Sequence, residues 1–245
     1  MVCMATLLKI GSRGPLVADL QRALNTQLRP NPNLVPDGVF GPATDRAVKA
    51  FQAEKWLVVD GHAGVCTQNA LYGKEAYAAV LHHISFIPQP TNTTCWAAST
   101  AMMTNSSVAV VKTKTPQDMW SDQAGLYNSS ETDDAVTSGN RYGRIHGLRC
   151  HPPMSWSLSK LTGALRHGPL MFDMLWNVSD YLSGAGSPGH MICVVGVRGD
   201  NDQTGIGTTL RLHDPWSPNV GKRMSVNAMK WLNEVPTRTY RVFEK

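Results

Sequence analysis

The sequence predicts an α+β chain: a small three-helix bundle, then a larger domain whose helical part carries a cysteine and whose antiparallel β-sheet carries a histidine and an aspartate. Three observations predict it. Two strings near the start, DGVFGPAT (37–44) and DGHAGVCT (60–67), share the pattern D-G-x-x-G-x-x-T, 23 residues apart. A run of small residues, CWAASTAMM from Cys95, follows a polar loop. A continuous apolar run, MICVVGV (191–197), is followed by the polar, glycine-rich RGDNDQTGIGT and then by TLRLHD, in which Leu210 and Leu212 alternate with Arg211 and His213; apolar run, turn and alternation read as a hairpin.

Taken in order, PLVADLQRALN places Leu16, Val17, Leu20, Ala23 and Leu24 on one helical face behind Pro15, which is tolerated in a first turn. The loop QLRPNPNLVP leads to the first repeat, where Asp-Gly gives a tight turn, the second glycine a close or left-handed backbone, and Thr44 a helix cap. TDRAVKAFQAEK then puts Ala47, Val48 and Phe51 on a second helical face, and the second repeat leads to a short helix over Gln68–Leu71. The segment 74–86, KEAYAAVLHHISF, reads as a connecting helix or linker. Neighbouring His82 and His83 face different directions on a helix, so they read as solvated residues rather than joint metal ligands.

Next comes PQPTNTTCWAAS. A threonine cap before Cys95 places that thiol in the first turn of a helix, where orphan amides and the positive end of the macrodipole favour the reactive thiolate. An unremarkable free cysteine is a buried core residue, which is the reading for Cys193, Cys3, Cys66 and Cys150. A base is supplied by His190, which follows a glycine turn and opens the apolar strand. Pairing Val197 with Gly207 across the hairpin brings His190 opposite Asp214, a carboxylate that fixes the tautomer and stabilises the imidazolium. Gln89, six residues before the cysteine, offers a side-chain amide which, with the backbone N–H of Cys95, suits the oxyanion of acyl transfer. SWSLSKLTGALRHGPL gives a helix with Leu158, Leu161 and Leu165 on one face, ended at Gly168. Residues 106–153 contain an acidic-then-basic stretch without apolar periodicity, read either as loop and short helices over a substrate cleft or as a surface insertion.

Composition limits the alternatives. The 245 residues allow one large or two modest domains with a real core. Five cysteines without a CxxC pair form neither a disulfide framework nor a zinc site, and no cofactor or metal is expected. A net charge of +5 from scattered Lys and Arg argues against nucleic acid and suits an anionic polymer such as a bacterial wall. No run of about 18 apolar residues spans a membrane. The first ten residues do not form a secretory signal peptide, so a soluble chain made in the cytoplasm and reaching the periplasm or wall by another route is expected.

GSRGPLVADLQRALN, DGVFGPATDRAVKAFQ and VVDGHAGVCTQNAL resemble, in that order, the peptidoglycan-binding-like domain of bacterial wall hydrolases. The resemblance implies a three-helix module over residues 1–73 that docks wall glycan or stem peptide. Asp37, Gly38, Phe40, Gly41 and Thr44 are its candidate contacts, unless they serve only to shape the turn. PQPTNTTCWAAS, GHMICVVGV and LHDPW resemble papain-like cysteine peptidases of the bacterial branch, which includes bacteriocin-processing peptidases and secreted effectors. That resemblance implies a papain-like domain over 87–245 with Cys95, His190, Asp214 and Gln89 as catalytic residues and Trp96 beside the substrate. Asp214 stands where plant-type papains carry Asn, and the upstream disulfide cysteine of those enzymes is missing. The expected function is a wall-directed peptidase or amidase cleaving peptidoglycan peptides, as a lysin or secreted antibacterial toxin with a possible cognate immunity protein. The alternatives are a toxin protease acting on a protein substrate and a catalytically dead wall-binding protein.

Overall fold

Pro15 and Pro42 stand in first helical turns, where a missing N–H goes unnoticed, and each opens a helix: α1, Pro15–Gln27, and α2, Pro42–Glu54. A shorter α3, Val65–Leu71, follows the second Asp-Gly turn and starts three residues before the predicted Gln68. The computed structural model describes residues 6–127, 133–134, 139–151, 156–175, 189–200, 202–234 and 241–245. They fall into two compact units.

The first unit holds the three helices. Val17, Leu20 and Leu24 of α1 share a core with Ala47, Val48 and Phe51 of α2, Leu71 of α3 and Phe40 between them. Leu16 departs from the predicted face and is 55% exposed, because its angular position lies off the Val17–Leu20–Leu24 stripe. The two Asp-Gly turns are built alike around a buried glutamine. Gln21 Nε2 donates to Asp37 Oδ1 at 2.9 Å, Val39 O at 3.1 Å and Thr44 Oγ1 at 3.1 Å, and its Oε1 accepts from Gly38 N at 3.1 Å. Gln52 repeats the set with Asp60 Oδ1 at 2.8 Å, His62 O at 3.0 Å, Thr67 Oγ1 at 3.1 Å and Gly61 N at 2.9 Å.

This frame corrects two expectations. Thr44 does not cap its helix, nor does Thr67: Gly41 and Gly64 take the N-cap positions, and the hydroxyls turn to the buried glutamines. Phe40 and Thr44, offered as wall contacts, are 1% and 2% exposed, so their side chains are closed off from an external polymer. Gly38 is buried at φ 73°, and a Cβ there would lie 3.0 Å from Gly14 O. Asp37 is exposed, but its carboxylate is held below its usual range by the Val39 amide and then by Gln21. Gly41 is half-buried at the N-cap of α2.

The same unit extends to Ala79 and takes in Arg198–Leu210 and Ser225–Lys230. Within it the Arg198 guanidinium donates to both Glu75 carboxylate oxygens at 2.7 Å and to Lys55 O at 2.5 Å, and lies 5.2 Å from the Trp56 ring. Cys66 Sγ donates to Ile206 O at 3.2 Å, which also accepts from Asn227 Nδ2 at 2.8 Å. Residues 74–86, read as a helix or linker, contain no helix. His82 is half-buried with Nε2 2.7 Å from Leu165 O, whereas His83 is exposed.

The second unit begins with β1, Val80–Leu81, followed by α4, Cys95–Thr104, and α5, Val108–Lys114. A 3-10 turn over Gln117–Met119 leads into a small hairpin of β2, Trp120–Ser121, and β3, Gly125–Leu126. A second small pair, β4, Asp133–Asp134, and β5, Gly139–Asn140, precedes α6, Arg141–His146. Then come β6, Arg149–His151, α7, Leu158–His167, β7, Leu170–Leu175, β8, Gly189–Gly199, and β9, Thr208–Asp214. β10, Lys222–Asn227, α8, Ala228–Glu234, and β11, Arg241–Glu244, close the chain. The main sheet runs β10-β9-β8-β7-β11-β6, with β1 also on β8. Residues 106–153 are thus short helices and strands where described; most of the acidic stretch lies outside the described residues.

α4 is buried from Cys95 to Met103, as expected of a helix without a polar face. Its small residues let strands approach closely: Ser99 Oγ donates to Met191 O at 2.8 Å, and Thr100 Oγ1 lies 2.6 Å from the Tyr142 hydroxyl. It ends at Asn105 in the left-handed region, φ 52°, a common helix stop. On the other face of the sheet, Phe172 of β7 packs against Trp156 and against Trp231 of α8.

Gln21→Ala removes a buried hub and leaves Asp37, Gly38 N and Thr44 without it. A loss of about 2–4 kcal/mol is expected, measured as a lower urea midpoint by circular dichroism; an unchanged midpoint contradicts the hub assignment.

Candidate active site

A cavity of the second unit, about 420 Å³, is lined by Asn92, Thr93, Cys95, Trp96, Gln123, Ala124, Gly125, Leu126, Asp173, Gly189 and Met191. Cys95 reaches it as the first residue of α4, 9% exposed. The predicted threonine cap is absent: Thr94 stands at the N-cap, but its hydroxyl accepts from Thr91 N at 3.0 Å and donates to Thr91 O at 3.2 Å. That exchange closes the 91–94 turn instead. The first-turn amides of α4 have no intrahelical acceptor and point out of the helix start.

Gly125 shapes the opposite wall. At φ 75° its Cα lies so near Thr93 O that an added Cβ would sit 2.7 Å from it, so the β2–β3 hairpin rests directly on the turn that leads to the cysteine.

His190, at the start of β8, is 3% exposed and hydrogen-bonds the Cys95 thiol. Its Nε2 lies 2.7 Å from Asp214 Oδ1 at the end of β9, which leaves Nδ1 for the sulfur. Asp214 is oriented in turn by Trp216 N, which donates to the same oxygen at 2.9 Å. Burial works against a charged His190, but the hydrogen bonds to Asp214 and Cys95 outweigh it and push its pKa up to about 9. The ring is therefore an imidazolium at neutral pH, the partner a thiolate requires. Contrasting surroundings mark other groups as inert. Burial pushes Cys193 up to about 12 and raises Cys66, and it lowers His213, adjacent in sequence to Asp214, to about 4, with Arg211 and Arg223 adding to the effect.

The structure brings Cys95, His190 and Asp214 together. It does not bring Gln89 into the cavity lining. Gln89 is fully buried, its Nε2 donates to Thr91 O at 2.6 Å, and its backbone is tied to the loop after Asp214 through Pro215 O at 3.0 Å and Asn219 N at 2.8 Å. Its Oε1 is buried without a partner among the described residues. Trp96 borders the cavity, yet it is 2% exposed and packed against Trp120, tilted at 5.5 Å, and edge-on against Tyr142 at 6.2 Å. Its bulk is core rather than open substrate surface.

One cavity residue carries no signal in the reading above: Asp173, a single charge inside the strand LMFDML, across from Met191 in the β7–β8 register.

With this geometry in hand, comparisons with known proteins divide the chain in the same order. A family model described as papain-like cysteine protease AvrRpt2 matches residues 81–234, and a peptidoglycan binding domain model matches residues 13–71. Among solved structures the chain is similar to the SleB N-terminal domain, at 33% identity over 28% of this chain and 92% of that one, TM-score 0.27. It is similar to the Burkholderia AP3 phage endolysin, at 28% identity over 51% of this chain and 42% of that one, TM-score 0.26. A C39-like peptidase from Bacillus anthracis aligns at 11% identity over 68% of this chain and 97% of that one, TM-score 0.40. No curated protein matches. Among the described residues no helix is long and apolar enough to cross a membrane.

Because Asp214 helps hold the proton on His190, kcat/KM is expected to fall on the alkaline side as His190 deprotonates near pH 9. In Asp214→Asn the burial effect is less opposed, and that alkaline limb moves to lower pH. A pH profile of the variant that overlays the wild type contradicts the coupling.

Proposed function

The chain belongs to the papain-like cysteine protease AvrRpt2 family and carries a peptidoglycan-binding domain ahead of it, and from that premise we propose a thiol peptidase that cleaves peptide bonds of the bacterial wall. The observation that carries the chemistry is the relay from Cys95 through His190 to Asp214, with the 2.7 Å bond at its far end.

In this reading the Cys95 thiolate attacks a peptide carbonyl carbon. The C–S bond forms and the carbonyl electron pair moves to oxygen, where the backbone N–H of Cys95 at the start of α4 receives it; Gln89, the second donor expected from the sequence, is buried outside the cavity lining and donates to Thr91 O instead. His190 gives its proton to the departing amine as the C–N bond breaks, leaving an acyl-enzyme. Water then attacks the thioester while His190 takes its proton, and the thiolate departs. Asp214 keeps the imidazole oriented and its charge stabilised throughout.

The peptidoglycan-binding domain raises the concentration of this chemistry at the wall. Its contacts lie elsewhere than the side chains of Phe40 and Thr44, with Asp37 as the exposed member of the predicted set. Acting on the wall, the protein serves as a lysin or a secreted antibacterial effector, and a producing cell guards itself with an inhibitor protein. The family description favours a second reading, a protease that cuts a protein substrate while the first domain provides retention.

Incubation with isolated sacculi separates the two. Wild type is expected to release soluble muropeptides with newly cleaved peptide bonds, and Cys95→Ala to lower release by more than ~10³-fold while co-sedimenting with sacculi as before. Intact sacculi beside new protein termini in a proteome digest favour the second reading; an active Cys95→Ala removes both.

A further inference from the structure

Asp214 can hold His190 only while the end of β9 and the loop behind it keep their place. That loop is PWSPNVG, residues 215–221. Ser217 O accepts from Val220 N at 3.1 Å and from Gly221 N at 2.9 Å, which closes a turn, and Gly221 comes so near the strand end that an added Cβ would lie 3.1 Å from Asp214 O. Asn219 sits within this turn in the left-handed region, φ 60°, which asparagine tolerates and a β-branched residue does not.

The bonds of Asn219 lead out of the loop. Its N–H donates to Gln89 O at 2.8 Å, Gln89 N donates back to Pro215 O at 3.0 Å, and Asn219 Nδ2 reaches Pro90 O at 3.4 Å. Gln89 is fully buried, and its Nε2 donates to Thr91 O at 2.6 Å, in the turn that Thr91 and Thr94 close ahead of Cys95. One clasp thus joins the loop of the carboxylate to the turn of the nucleophile. Asn219 is exposed, so changing it removes no core packing. Residues 215–221 carry no ionisable side chain, so a neutral substitution there acts on the His190 ring only through the position of other groups. Among the described residues the ionisable groups that face the ring are Cys95 of α4 and Asp214 of β9, with Asp173 Oδ1 of β7 beside Gly189.

We infer that Asn219 is a positioning residue: its left-handed backbone presents the N–H that clasps Gln89, and through that clasp it keeps Asp214 on His190. It touches neither the ring nor the sulfur and takes no part in bond making. The inference rests on the relay from Cys95 through His190 to Asp214 described in the reading above, and is indifferent to which peptide is cleaved.

The test follows His190 itself, in the full-length protein labelled with ¹⁵N-histidine, by NMR titration of its ring nitrogens; the signal is assigned from its loss in His190→Gln. Wild type is expected to titrate near pH 9. Asn219→Val is strained in the left-handed region and is expected to lower the midpoint by about one pH unit, a roughly tenfold weaker hold on the proton. Asn219→Gly keeps the left-handed backbone and its N–H, and is expected to titrate as wild type. Circular dichroism reports whether each variant folds; should Asn219→Val not fold, Asn219→Ala, with a smaller side chain, is expected to move the midpoint in the same direction. Beside Asp214→Asn, Asn219→Val should produce no further shift, because the group it positions is gone. A wild-type midpoint in folded Asn219→Val or Asn219→Ala, a loss in Asn219→Gly equal to that in Asn219→Val, or a full further shift beside Asp214→Asn overturns the inference. A wild-type His190 that titrates at its ordinary 6.5 sinks the relay and the inference with it; titration near pH 9 that the Asn219 variants leave unchanged sinks the inference alone.

Discussion

A buried imidazole held in its charged form is the constraint on which the second unit depends. Burial alone would empty His190 of its proton, and the opposite outcome, a pKa near 9, needs an anion at hydrogen-bond distance on one side and sulfur on the other. Supplying the anion fixes the end of β9. It also fixes the loop beyond, because Asp214 accepts from Trp216 N and because Pro215 and Asn219 are bonded to the backbone of Gln89. Supplying the sulfur fixes the start of α4. Three stretches far apart in the chain, 89–95, 189–190 and 214–219, are therefore locked by one proton-binding site, and the direction of linkage is defined. A group whose folded pKa is raised above its ordinary 6.5 adds stability in full below that pH and loses it as pH rises through about 9.

Close packing delivers the sulfur to that place. Ala97, Ala98, Ser99 and Ala101 have little side chain to hold the sheet away, so Ser99 reaches the carbonyl of Met191, the residue after His190. A larger residue at Ser99 would push α4 from β8 and separate the Cys95 sulfur from the His190 ring without touching either. Gly125 plays the matching role on the outer wall, where Thr93 O occupies the space a side chain would need. The cleft is thus defined by backbone approaching backbone, a more rigid arrangement than one built from long side chains.

Much of this is legible in the sequence. Cys95 and His190 announce themselves because each opens a regular element beside polar or glycine-rich residues. Asp214 is offered by pairing Val197 with Gly207, but the hairpin closes in another register, in which Asp200 N donates to Gly207 O at 3.2 Å and Gly199 lies against Thr208. What sequence hides is what depends on non-local pairing. Val80 joins the sheet through Val197, so a segment that reads locally as helix or linker yields a strand. Gln21 and Gln52 do the same work in the two Asp-Gly turns, but they stand 16 and 8 residues before their aspartates, and no fixed spacing links them. Thr94 has the residue type and position of a cap, yet Thr91 offers its hydroxyl a better pair of partners. Asp173 looks like an accident in an apolar strand until β7 is seen between β8 and β11 with a cavity in front of it.

The pairing of a binding domain with this cleft carries a consequence for specificity. A tether raises the effective concentration of every bond within reach by the same factor, whatever its sequence. It therefore improves encounter and contributes nothing to choice between neighbouring bonds. Choice has to come from differences in transition-state binding inside the cleft. An apolar cleft separates side chains by a methylene or two and discriminates weakly, whereas a fixed carboxylate in a partly desolvated wall favours one charge and opposes the other. On the proposed reading, a wall rich in both amines and carboxylates is a substrate for which tethering alone would be indiscriminate.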